Sequence, residues 1–314
     1  MTSRGKYETR LDPALWAYID AVNAWYPPEI IGLPIDKQRA VYDRMCRAFH
    51  RGRPPGVKTS DGLIAAAGRD IPVRHYQLAG KAARATVLYY HGGGFILGGL
   101  ESHDDICAEI CAGTGFDVLS VDYRLAPEHV HPAAFDDAVT AFEWAAAATS
   151  LPLVLCGESA GGNLAAGVAQ ATRRGAVIGQ VLIYPELGGD ESAGSYVEHA
   201  DAPLLSLHDI AFYRDVRSAK RQSPDDPTFS PLRDTDFSGL PPTVIVTAEC
   251  DPLSSDGETY RDRILAAGGK AFWHEEPRLV HSFLRGRATV PAAAEAFERI
   301  IAAVAALGKG EWPY

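Results

Sequence analysis

Ser159 is the residue around which the chemistry of this sequence turns. It stands in Gly157-Glu158-Ser159-Ala160-Gly161, where the apolar run Leu151 to Cys156 stops and an Ala- and Leu-rich stretch from Asn163 begins. A short apolar run bounded by glycine predicts a buried strand, and the stretch after it predicts a helix, so the serine falls on the turn between them. Small residues on either side let such a turn be sharp enough to lift the serine oxygen above a sheet, the arrangement of a nucleophile elbow. The plainer alternative is a glycine-rich strand-to-helix turn whose serine caps the helix.

A serine hydroxyl is a weak nucleophile at neutral pH and needs a base to take its proton and a third group to orient that base. In sheets of this class the partners follow the serine in the order acid, then histidine. Of ten histidines, only His274 and His281 remain after the apolar run Thr243 to Glu249. His274 lies within the predicted strand Lys270 to Glu275, whereas His281 lies just beyond it, where a loop reaches the serine; His281 is the expected base. Asp251 follows the run Thr-Val-Ile-Val-Thr-Ala-Glu-Cys directly and is the expected acid, with Glu249 and Asp256 as fallbacks. An ordinary Asx turn before Pro252 would also explain Asp251.

Acyl transfer also needs hydrogen-bond donors for the developing oxyanion, and glycines bring backbone N–H groups close to a substrate with no Cβ in the way. His91-Gly92-Gly93-Gly94-Phe95 follows the predicted strand Ala85 to Tyr90. Gly92, Gly93 and Ala160 are the expected donors, and His91 is expected to brace the loop. A phosphate cradle does not fit, since the run matches neither G-x-G-x-x-G nor a P-loop.

These groups require elements to position them. Residues 11 to 26 place Leu15, Tyr18, Ile19, Val22 and Trp25 at helical spacing, and residues 35 to 49 repeat the pattern. Arg53-Pro54-Pro55-Gly56 then marks a hinge. Strands are expected at 63–67, 71–78, 85–90, 117–122, 151–156, 180–184, 243–249 and 270–275, the later ones separated by helices. That alternation predicts an α/β fold: a mostly parallel central sheet of about eight strands with helices on both faces, binding ligands beyond the strands' C-terminal ends. Residues 187–223 break the rhythm and contain a helical stretch, Leu207 to Arg217, so they read as an insertion over that edge. The division that follows is an N-terminal helical cap segment, 1–56, and a catalytic domain, 57–314, with 187–223 a cap insertion. Trp25, Tyr26, Leu204, Leu205, Phe212 and Tyr213 are candidate pocket wall, although aromatics at helical spacing serve equally as core.

A formal net charge of −10 argues against nucleic acid or an anionic membrane as partner. The N-terminus has no apolar run behind its charges and no 18-residue apolar span follows, so no membrane association and a cytoplasmic location are expected. The five cysteines lack CxxC spacing and read as reduced. His129 with His131, or His199, Asp201 and His208, match no familiar metal spacing, so no metal is expected.

Taken together, His91-Gly92-Gly93-Gly94, Asp122 to His129, Gly157-Glu158-Ser159-Ala160-Gly161-Gly162, Asp251-Pro252-Leu253 and His281-Ser282-Phe283 resemble the hormone-sensitive-lipase-like esterases, the bacterial family IV carboxylesterases of the α/β-hydrolase fold. The resemblance runs from about residue 60 to the end. It implies a serine carboxylic ester hydrolase working through an acyl-enzyme on short to medium acyl esters, without cofactor, under a helical cap, and it allows a homodimer through the last edge strand. The motif from Tyr123 to His129 would support the glycine loop. Two positions depart from the family's usual pattern, Ser282 and Ser255-Asp256-Gly257, and neither removes a reacting group. The same triad would also serve an amide or formamide hydrolase or a deacetylase, and a lidded pocket without catalysis would make a small-molecule binding protein.

Overall fold

The structure, a computed structural model, describes residues 4–173, 175, 177–221 and 225–314. The first three residues of the N-terminal segment and the last two of 187–223 thus lie outside the described residues.

Two amphipathic helices open the chain, α1 (Pro13–Asn23) and α2 (Ile35–Phe49). Asp12 caps α1 by accepting the Leu15 N–H at 2.8 Å, with Pro13 at the first helical position. Leu15, Trp16, Tyr18, Ile19 and Val22 form its buried face. Trp25 falls past the end of the helix and stays 38% exposed.

Then follow β1 (Val57–Ala66), β2 (Arg69–Leu78), β3 (Thr86–Tyr90), α3 (Asp104–Thr114), β4 (Asp117–Val121), α4 (Ala133–Ala148), β5 (Leu153–Glu158), α5 (Ala160–Ala171) and β6 (Val177–Ile183). After β6 come α6 (Gly194–Glu198), which the sequence pattern does not show, and α7 (Leu207–Arg217), which it does. The chain closes with β7 (Thr243–Cys250), α8 (Ser254–Ala266), β8 (Ala271–Val280) and α9 (Pro291–Gly308). Ser206 and Asp209 form a reciprocal capping box that starts α7.

Among the described residues, the strands make one eight-stranded sheet in the order β1-β2-β4-β3-β5-β6-β7-β8. Only β2 runs against the rest, pairing antiparallel with both β1 and β4. Every residue of β3 and β5 is buried, as apolar runs covered on both faces must be. Successive side chains of β3 go to opposite faces. Val87 and Tyr89 join a core with α1, α3 and α9, while Leu88 and Tyr90 join one with α4, α5 and α8. β1 spans ten residues rather than the five expected because it is an edge strand in which only Ile64 is fully buried, so hydrophobicity marks little of its length. β8 runs five residues past its expected end, which brings His281 to its C-terminal tip.

Candidate active site

Three strand ends carry Ser159, Asp251 and His281 to one place. β5 continues through Glu158, and α5 begins at Ala160, three residues before the helix start expected at Asn163. Ser159 is left alone on the turn with φ 52° and ψ −118°, a strained backbone for a residue with a Cβ. The flanking glycines are obligatory here. A Cβ on Gly161 would lie 1.9 Å from the Tyr90 carbonyl oxygen, and one on Gly157 would lie 2.2 Å from the Gly161 carbonyl oxygen.

Asp251 leaves the end of β7 fully buried, and its Oδ1 accepts the Leu253 N–H at 2.9 Å, the Asx turn its sequence suggests. Its Oδ2 lies 2.7 Å from His281 Nδ1. A carboxylate only accepts, so Nδ1 carries the proton and Nε2 is turned to the Ser159 hydroxyl, 2.9 Å away. The structure therefore brings Ser159, His281 and Asp251 into one hydrogen-bonded chain. The alternatives go elsewhere. His274 is on β8, its side chain 40% exposed and 3.6 Å from Glu276. Glu249 is taken by Arg10 and by the Arg278 N–H.

Asp256 is buried under the insertion, where it accepts from the Leu187 N–H at 2.7 Å and the Tyr196 hydroxyl at 3.1 Å. Burial, and next to it the carboxylate of Glu186, pushes its pKa up to about 8.

The glycine loop follows β3 at the same edge of the sheet. Gly93 has φ +123° and Gly94 φ +61°; a Cβ on Gly93 would sit 2.2 Å from the Leu97 carbonyl oxygen, and one on Gly94 would strike the Tyr213 ring at 2.5 Å. His91 is fully buried, and burial pushes its pKa down to about 3, so the imidazole is neutral. It stacks on Tyr123 with ring centroids 4.3 Å apart and donates from Nδ1 to the Gly92 carbonyl at 2.8 Å. The Tyr123 hydroxyl donates to the His91 carbonyl at 2.6 Å, and the Ala126 N–H to the Phe95 carbonyl at 2.9 Å.

A cavity of about 420 Å³ opens above these groups. Ser159, Ala160, His281, Gly93 and Gly94 form its floor, and Tyr26, Leu204, Leu205, Phe212 and Tyr213 belong to its walls. Two expectations need correction. Trp25 does not line the cavity: it is 38% exposed, and its neighbour Tyr26 takes the wall position. Gly92 does not line it either: the position its Cβ would occupy is 2.9 Å from Glu158 Oε1, and Gly93 and Gly94 are the loop glycines on the floor.

Glu158 itself is a residue whose role the sequence pattern does not reveal. Its carboxylate is buried, with Oε1 2.7 Å from His103 Nε2 and Oε2 accepting from the Tyr184 hydroxyl at 3.0 Å. Burial alone would raise its pKa, but His103, Arg285 and Tyr184 outweigh that and hold it down at about 2. The single clue in the sequence is an acidic residue closing an otherwise apolar strand. On the insertion side, Arg217 is clamped between the rings of Phe95 and Phe229, 3.5 and 4.0 Å from their centroids. Its Nη1 stands 3.6 Å from Glu186, and both residues line the cavity.

Among the described residues, no three His, Cys, Asp or Glu side chains gather as metal ligands, and no helix is long and apolar enough to cross a membrane. His131 pairs with Asp226 at 2.9 Å, and His199 with the Tyr7 hydroxyl at 2.9 Å.

Comparison with known proteins identifies the fold and the family. The family described as alpha/beta hydrolase fold matches residues 87–285. Carboxylesterase NlhH of Mycobacterium tuberculosis is 41% identical over 258 residues, 78% of this chain and 79% of that protein. Esterase LipI of the same species is 34% identical over 307 residues, 94% of each chain. The crystal structure of an alpha/beta hydrolase enzyme from the metagenome of Lake Arreo, Spain, superimposes with a TM-score of 0.88 at 31% identity, covering 96% of this chain and 99% of that one. The chain belongs to the hormone-sensitive-lipase-like family of α/β-hydrolase-fold carboxylesterases.

Proposed function

We propose that Ser159 is the nucleophile of a carboxylic ester hydrolase, His281 its general base and acid, and Asp251 the group that orients the imidazole. The hydrogen-bonded chain from Asp251 through His281 to Ser159, 2.7 and 2.9 Å at the cavity floor, is the observation that carries this reading. In the first half-reaction Ser159 Oγ attacks the ester carbonyl and its proton passes to His281 Nε2, which then gives it to the departing alcohol oxygen. The acyl group is left on Ser159. In the second half, His281 takes a proton from water as the water oxygen attacks the acyl carbonyl, then gives that proton to Ser159 Oγ as the acyl–Oγ bond breaks, which releases the carboxylic acid and restores the serine. The scheme draws on no cofactor.

The N–H groups of Gly93, Gly94 and Ala160 are the proposed oxyanion donors, since these are the glycine-loop and elbow residues on the cavity floor. Residues 4–56 and 187–221 are the proposed cap, because both contribute walls to the cavity above the sheet. Tyr213 packed on Gly94, with Phe212 beside it, limits the space over the serine and favours short to medium acyl groups. The names of the relatives favour esters over the amide-cleaving alternative. All five cysteines are unpaired and buried, in keeping with a cytoplasmic location.

The test is hydrolysis of p-nitrophenyl esters from acetate to palmitate by the wild type beside Ser159→Ala and His281→Ala. The expected result is a maximum at the shorter chains and a loss of about a millionfold in kcat for either substitution. Either variant keeping a tenth of wild-type turnover would sink the assignment.

A further inference from the structure

We propose that the hydroxyl of Tyr18, on the first helix of the chain, is a positioning group for His281, holding the base against Ser159 through the carbonyl of Ser282. The inference rests on the reading of His281 as base. Ser282 follows the imidazole directly and has φ 60° and ψ 24°, the left-handed region that residues with a Cβ enter at a cost. That turn lets the chain leave the end of β8 and swing into the short helical stretch Phe283–Ala288. Its carbonyl oxygen accepts two hydrogen bonds. The Arg285 N–H, at 3.3 Å, belongs to the turn itself. The Tyr18 hydroxyl, at 2.7 Å, comes from 264 residues away.

Tyr18 is well placed to serve as a fixed post. It is 2% exposed and meets the Phe49 ring edge-on, with centroids 5.6 Å apart. Its ring also lies over Gly286, where an added Cβ would come within 3.1 Å. A second clasp ties the same segment to α2. Arg285 Nη2 donates to the Tyr42 hydroxyl at 2.8 Å and stands 3.2 Å from His103 Nε2, while its Nη1 donates to the Ser102 carbonyl at 2.8 Å. Both N-terminal helices therefore grip the segment that carries the base. Tyr18 acts on the reaction through the backbone beside His281, and a displacement of the imidazole by about 1 Å is worth roughly 100-fold in rate.

Tyr18→Phe keeps the ring packing and deletes the tether. It is compared with Ser282→Gly, the double variant, Ser159→Ala and His281→Ala on p-nitrophenyl butyrate, well below each variant's melting temperature. The expected result for Tyr18→Phe is a fall in kcat of about 10- to 100-fold with KM within about threefold, and slower labelling of Ser159 by a p-nitrophenyl phosphonate. Because glycine takes the left-handed turn without help, adding Ser282→Gly to Tyr18→Phe should recover about tenfold of kcat. The proposal is overturned by a Tyr18→Phe kcat within twofold of wild type, by a loss confined to KM, by the absence of recovery in the double variant, or by a Tyr18→Phe chain that does not fold. Should Ser159→Ala and His281→Ala stay active, the triad assignment is what fails; should they die while Tyr18→Phe does not, only the tether does.

Discussion

The floor and the roof of the cavity are built on different terms. On the floor, Ser159 sits at φ 52° between glycines whose Cβ positions would fall 2.2 and 1.9 Å from backbone oxygens, so the backbone itself dictates what stands there. Ser159, Asp251 and His281 hang from the tips of β5, β7 and β8, of which β7 and β8 are neighbours and β5 and β7 are separated by β6. The roof is held by side chains. Arg39 reaches the Ile96 carbonyl at 2.8 Å and pairs with Glu128, the Ser195 hydroxyl donates to the Pro252 carbonyl at 2.6 Å, and Arg217 lies between two rings. It also leaves Trp25 and Ile31 38% exposed and Val197 60% exposed. On the proposed mechanism, placement of the reacting atoms is thus a property of the sheet, and selection among esters would fall to a layer that side-chain substitutions remodel at lower cost.

After the loss of Ser159 or His281, the largest effect should come from Asp251→Asn, a floor substitution that leaves the shape nearly unchanged. The asparagine amide would donate to Nδ1 and force the proton onto Nε2, where it blocks acceptance from Ser159; kcat should fall about 10⁴-fold with the melting temperature little moved. A loss under tenfold in steady-state turnover would show that the imidazole does not depend on the acid.

A roof substitution should change preference instead. Tyr213→Ala removes the ring packed on Gly94, and the ratio of kcat/KM for octanoate over acetate esters should rise about tenfold. An unaltered chain-length profile would mean that Tyr213 does not bound the acyl site.

The smallest effects are on stability, and they separate the regions by sign. Glu158, at the floor, has its folded pKa depressed from 4.5 to about 2, so its contribution is present above pH 4.5 and is lost as pH falls through 2. Asp256, under the roof, has its folded pKa raised from 3.8 to about 8; its contribution is full below 3.8 and is lost as pH rises through 8. In scanning calorimetry, Glu158→Gln should therefore lower the melting temperature most at pH 7 and least at pH 3. Asp256→Asn should gain on the wild type from pH 5 to pH 9. Profiles that run parallel to the wild type would contradict the charge states assigned to these carboxyls.

The sequence was most legible where constraints are local. The glycines around Ser159 declare a turn that only they allow, the apolar runs of β3 and β5 declare strands buried on both faces, and the order serine, acid, histidine singles out His281 over His274. It was less legible where position depends on distant packing. Nothing in the spacing of residues 11 to 26 says that α1 stops at Asn23 and frees Trp25. Nor does His-Gly-Gly-Gly say which glycines face the cavity, since that follows from the loop's path over Glu158 and Leu97.

By itself the sequence determined the fold class and the sharp turn at Ser159, because backbone sterics and hydrophobic periodicity act between near neighbours in the chain. Only the tertiary structure decided that Gly94 rather than Gly92 meets the cavity, that Glu158 is held as an anion while Asp256 takes up its proton readily, and that Tyr18 touches the turn beside His281. Each of these depends on groups from 55 to 264 residues apart meeting in a low-dielectric interior, which no local pattern encodes.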